Sequence, residues 1–117
     1  LSIYHSYINN NKGEINMAQI NARNCTSSSG NKIPNQIIIN YNTPKKHISF
    51  FQSYGVIVAK YTSTRTAFKT ELDKRYWNYS RTTSTYLNKF LGATSAEVKE
   101  NIKNGRYTLT NLNKEVR

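Results

Sequence analysis

The stretch SRTTSTYLNKFLGATSAEVKENIKNGRY, residues 80–107, decides how this chain is read, because two short amphipathic segments meet there at a glycine. In the first, Tyr86, Leu87, Phe90 and Leu91 recur at i, i+1, i+4 and i+5, which keeps them on one face of a helix. Ser80 can accept a bond from an unpaired backbone N–H at the amino end, and Gly92 can take the left-handed conformation that stops the helix. Thr94 with Glu97 three residues later has the form of a capping box opening a second helix, which Gly105 ends. Val98 and Ile102 lie one turn apart on it, leaving Lys99, Glu100, Asn101 and Lys103 for solvent or a ligand.

A helix-turn-helix needs a buried residue late in its first helix, a glycine at the turn and two apolar anchors on the second. Leu87, Leu91, Gly92, Ala93, Val98 and Ile102 occupy those places. Asn88 departs from the pattern, since close helix approach favours Ala or Gly there. An αα-hairpin that covers a sheet fits the same residues.

Upstream, residues 36–41 (QIIINY) are β-branched and predict a strand, followed by a turn at 42–46 and a second strand at 47–54. Gly55 allows a bend before a third strand at 56–61, a polar loop, and a fourth at 67–72. Alternation of Tyr107 and Leu109 with threonines suggests a closing strand. The expected fold class is α+β, a small antiparallel β-meander plus a helix-turn-helix, winged-helix-like. Lys45 and Lys46 tip one turn and Arg65 the next, with Lys60 and Lys69 on the flanking strands, so the second hairpin is expected to act as a basic wing. Lys74, Arg75 and Arg81 are expected to grip phosphates as the chain enters the helices, while Trp77 and Tyr79 join the core. Residues 18–35 are turn-rich and expected to be connectors, with a short strand at 19–23 and Arg23 and Lys32 flanking a serine loop.

Residues 1–16 differ from the rest in lacking usable periodicity. Lys12-Gly13-Glu14 can be encoded by a purine-rich ribosome-binding sequence that stands shortly before Met17. The expectation is a translated leader or disordered arm at 1–16, one domain at 17–113 and a tail at 114–117.

Seventeen Lys and Arg against six Asp and Glu give a formal charge of +11, whose self-repulsion points to a polyanionic partner. The bases are scattered, as on a basic face rather than a tail. A hydrophobic fraction of 37% and fourteen aromatic residues favour a folded domain over a disordered one. With one cysteine, Cys25, the chain cannot form an internal disulfide. It has no stretch of membrane-span length, so the expected location is the cytoplasm. Abundant Asn, Ile, Lys and Tyr, with AT-rich codons, suggest a low-GC bacterium or a mobile element.

Residues 77–92 (WNYSRTTSTYLNKFLG), 102–107 (IKNGRY) and 109–112 (LTNL) resemble a family of short proteins of phages and plasmids of low-GC Gram-positive bacteria. More distantly, the chain resembles the TcpK-type accessory proteins of clostridial conjugative plasmids in size, residue usage and helix pattern. That resemblance implies a winged helix-turn-helix protein binding DNA at an origin of transfer (oriT), with a relaxase or other transfer protein nearby.

The expected function is sequence-selective binding of double-stranded DNA without catalysis or cofactor. Contact residues by charge and position are Lys45, Lys46, Lys60, Arg65, Lys69, Lys74, Arg75, Arg81, Lys99 and Lys103. Glu97 and Glu100 on the second helix oppose its own lysines, which makes the Arg65 hairpin an equal candidate reader. His5 and His47 lack neighbours with metal-ligand spacing, and Cys25 lacks a recognisable base, so an enzyme is not expected. The alternative is an interaction protein that inhibits a host defence complex.

Overall fold

The computed structural model describes residues 2–9 and 15–114. Seven strands form one sheet in chain order: β1 (Ser2–Asn9), β2 (Ile15–Thr26), β3 (Lys32–Asn42), β4 (Lys46–Ser53), β5 (Val56–Thr64), β6 (Phe68–Asp73) and β7 (Tyr107–Thr110). Pairing is antiparallel from β1 to β6, and β7 returns parallel to β6, with Thr70 opposite Tyr107 and Leu72 opposite Leu109. A parallel return needs a crossover, and helices α1 (Arg81–Leu91) and α2 (Ser95–Lys103) supply it.

Local chemistry sets the helix ends. Thr83 N–H donates to Ser80 Oγ at 3.1 Å, and Gly92 stops α1 at φ 64°. In the capping box of α2, Thr94 N–H donates to Glu97 Oε1 at 2.9 Å, and Glu97 N–H donates to Thr94 Oγ1 at 3.2 Å. The bonds from the Thr94 backbone and then its hydroxyl hold the Glu97 carboxyl below its ordinary value. The cap is therefore present at neutral pH and is lost as pH falls through that lowered pKa.

Both helices pack on one face. Phe51 on β4 stacks on Phe90 of α1 with ring centroids 6.0 Å apart, and the core gathers Phe51, Val58, Ala59, Leu72, Leu87 and Val98. Full burial of Phe51, Leu72 and Leu87 stabilises by about 1.5–3 kcal/mol each. Ser53 Oγ shares a buried bond with Thr83 Oγ1 at 2.7 Å, which seats the first turn of α1 on the sheet.

The winged helix-turn-helix expectation is overturned. The Arg65 hairpin is no free ribbon, because β5 is paired to β4 and β6 to β7, leaving it inside the sheet. The helix pair is a crossover pressed on that sheet, with Asn88 Nδ2 bonded to Ser95 Oγ at 2.9 Å across the turn. Nor is the sheet a small meander, since 18–35, expected to be connectors around a short strand at 19–23, belong largely to β2 and β3. Trp77 packs against the core as expected, whereas Tyr79 is 43% exposed and meets Tyr76 edge-on. Of residues 1–16, read as a leader, Ser2–Asn9 and residues 15–16 are strand; 1 and 10–14, like 115–117 of the tail, lie outside the described residues.

Asp73 ties the sheet to the returning chain. Its buried carboxylate accepts from the N–H groups of Arg75 (3.0 Å), Tyr76 (3.1 Å) and Leu112 (2.8 Å), and from Asn113 Nδ2 (3.1 Å). The Asn113 amide also exchanges two bonds with the Ile57 backbone, at 2.7 and 2.8 Å, continuing the ladder on β5 past the end of β6. Asp73→Ala leaves these donors unpaired, and urea unfolding is expected to show a loss of about 2–4 kcal/mol; an unchanged midpoint would contradict the clasp.

Candidate nucleic-acid interface

The β3–β4 and β5–β6 turns lie side by side at one end of the sheet, because Lys46 pairs with Thr64. Thr43 shapes the first turn: its Oγ1 accepts from the N–H groups of Lys45 (3.3 Å) and Lys46 (3.1 Å). Thr64 shapes the second, where Ala67 N–H donates to Thr64 Oγ1 at 3.2 Å and Thr64 N–H to the Ala67 carbonyl at 2.8 Å. Between the turns is a cleft of about 730 Å³, lined by Lys45, Lys46, His47 and Arg65 together with Asn42, Pro44 and three threonines. Among the described residues no carboxylate lines it. The acids of the described residues are Glu71 and Asp73 on the far half of β6 and Glu97 and Glu100 on α2. Among the described residues the acids thus stand away from the turn end, which carries Lys45, Lys46 and Arg65.

The structure brings together Lys45, Lys46 and Arg65. The other predicted contacts are dispersed. Lys60 holds its ammonium 5.8 Å from the Phe50 ring centroid, and Lys69 lies 3.9 Å from Glu71; alternation puts both on the face away from the helices. Lys74 and Arg75 line a separate cavity of about 610 Å³ with Asp73. That cavity is at the opposite end of the sheet, about 24 Å away for the seven residues from Lys46 to Ser53. Arg81 opens α1 at this far end, and Lys99 and Lys103 are exposed on α2.

Sequence reasoning missed the surface beside the cleft. On the helix-bearing face, His47 Nε2 is 2.8 Å from Ser49 Oγ, and His47 Nδ1 bonds to Asn42 Oδ1. Ser49 Oγ donates to Asn40 Oδ1 at 2.5 Å, and Asn40 Nδ2 donates to Asn21 Oδ1 at 3.2 Å. This polar chain crosses β2, β3 and β4 beside the end of α1, whose Phe90 and Leu91 line a recess with Ser49. Its Ser-His-Asn order has the look of a hydrolytic relay, but Ser49 is buried with its proton committed to Asn40. β4 is moreover laddered on both edges, so the strand has no pair of free N–H groups to stabilise an oxyanion. The signal for this surface was the period-two spacing of Asn40, Asn42, His47 and Ser49.

Among the described residues no group of His, Cys, Asp and Glu can hold a metal ion, and no helix is long and apolar enough to cross a membrane. Fold and site together define an α+β domain with a helical crossover on one face of its sheet and, among the described residues, a basic turn end without an acid. The chain belongs to a family of unknown function (DUF8033), whose model matches residues 7–106. No curated protein and no solved structure matches it significantly.

Cys25 sits on β2 under α1, and burial pushes its thiol up, opposed by the charges of Arg23 and Lys89. A raised pKa means less thiolate at a given pH. Labelling of native protein with Ellman's reagent at pH 8 is expected to be more than about tenfold slower than in urea; equal rates would make Cys25 an accessible, reactive thiol.

Proposed function

We propose that this protein is a non-catalytic DNA-binding protein that holds the phosphate backbone at its paired turns. The observation that carries the reading is the convergence of Lys45, Lys46 and Arg65 on a cleft that no carboxylate of the described residues lines, in a chain of charge +11. Turn backbones fixed by Thr43 and Thr64 present these side chains from a rigid sheet, which lowers the ordering cost of gripping a phosphate. The target is double-stranded DNA of the mobile element that AT-rich residue usage suggests, met in the cytoplasm. Selectivity would come from side chains that border the cleft. The likeness to plasmid-transfer proteins lost its structural support with the winged helix, and it adds no contacts here.

A second reading, an interaction protein, is favoured by one observation. On the face opposite the helices, Ile20, Ile37, Ile39, Tyr41, Ile48, Phe50 and Ile57 are half-buried, and neither helix lies over them. An apolar surface of this extent suits a protein partner.

Binding to labelled duplex DNA over a range of salt separates the two. The Lys45→Ala, Lys46→Ala, Arg65→Ala triple variant is expected to bind weakly and to lower the salt slope by about 2–3. Lys74→Ala with Arg75→Ala, at the far end, is expected to keep the parent slope. Loss in the far-end variant instead would move the interface there, and no binding by the parent chain would favour the interaction protein.

A further inference from the structure

We propose that the uncovered half of the helix-bearing face seats unpaired nucleobases of a single strand, stacked on Tyr61 and Phe68, while its phosphates lie on the turn end. This rests on the DNA-binding reading, in which the turns grip duplex phosphates, and adds single-stranded DNA as a second form that the same turn end can hold. Phe68 is 77% exposed, the most exposed large hydrophobic side chain among the described residues, and it follows the Arg65 turn directly. Its ring lies 6.5 Å from that of Tyr61, tilted by 34°. Tyr61 is half-buried, and Phe68 forgoes the hydrophobic gain of burial. Alternation along β6 puts Phe68, Thr70 and Leu72 on one face, and only Leu72 reaches the core beneath the helices. Phe68 is therefore outside the core by its position at the strand's start.

Beside Tyr61 a recess of about 250 Å³ runs under the end of α1, walled by Phe90, Leu91 and Tyr107 and bearing the hydroxyls of Ser49 and Thr70. Flat aromatic walls with a few hydrogen-bonding groups are what an unstacked base requires. Asn40, Asn42 and His47 continue the same surface, and carboxamides carry both the donors and the acceptors that a Watson–Crick edge demands. The phosphate grip is close by: Tyr61 stands three residues from Thr64, which lines the basic cleft, about 10 Å along β5. A duplex cannot use this seat, since its bases are stacked inside; a single strand can thread from the lysines onto the aromatic pair.

The test is fluorescence anisotropy of the full chain with a labelled thymidine 12-mer and a 12-base-pair duplex. Phe68→Ala should fold normally because the side chain is exposed, with circular dichroism as the check. It is expected to weaken single-strand binding about tenfold and duplex binding less than twofold. Phe68→Trp is expected to restore single-strand binding, with its added indole fluorescence quenched by that strand and not by the duplex. Unchanged or equally reduced binding of both forms by Phe68→Ala overturns the seat but leaves the phosphate grip at the turns. Binding of neither form by the parent chain overturns the DNA reading as well, and an acidic or apolar protein partner would then be the occupant to seek.

Discussion

The parallel pairing of β7 with β6 is the constraint on which the rest of this structure depends. Two parallel neighbours cannot be joined by a tight turn, so the chain must leave the sheet, travel its length and re-enter. The amphipathic segments at 81–91 and 95–103 fill that path, and their apolar stripes then have only the sheet to pack on. Asp73 holds both ends of the excursion, bonding to Arg75 and Tyr76 as the chain leaves and to Leu112 and Asn113 after it returns. One buried carboxylate thus fixes where the helices start and where the last strand is released.

Helix ends were legible in the sequence because caps are local chemistry: Ser80, Gly92 and the Thr94–Glu97 box act within a few residues. Strands β3 to β6 were legible from β-branched runs and turn residues. β2 was legible only at 19–23, where Gln19, Asn21 and Arg23 alternate with Ile20 and Ala22, and its extent over Ile15–Thr26 was not. Asn24 and the serine run 27–29 made the rest of it look like a loop. Nothing local tells whether two capped helices cross each other as a DNA-reading motif or lie side by side on a sheet. That depends on the clasp between Asp73 and residues 39 and 40 positions away. Asn88 was the one local sign, since a polar residue at the turn contact is served by a Ser95 bond rather than by close packing.

The candidate site shows the same division. That Lys45, Lys46 and Arg65 tip exposed turns could be read directly; that the turns adjoin follows only from the register of Lys46 with Thr64. Lys74, Arg75 and Arg81 looked like partners of those bases because they adjoin the helices in sequence. The sheet separates them by its own length. The separation leaves one face with three regions in order: an apolar core under the helices, a polar and aromatic band around Ser49, Tyr61 and Phe68, and a basic edge. The order matters, because phosphates and bases of one strand need basic and aromatic surfaces next to each other.

The central claim is that the turn end of the sheet, and not the helix pair, meets nucleic acid. A titration of ¹⁵N-labelled protein with DNA, followed by amide chemical shifts, tests it without any substitution. The account predicts that the largest shifts fall at residues 43–49 and 61–68, with the amides of α2 and of 74–81 nearly still. Shifts centred on α2 or on Lys74 and Arg75 would contradict it.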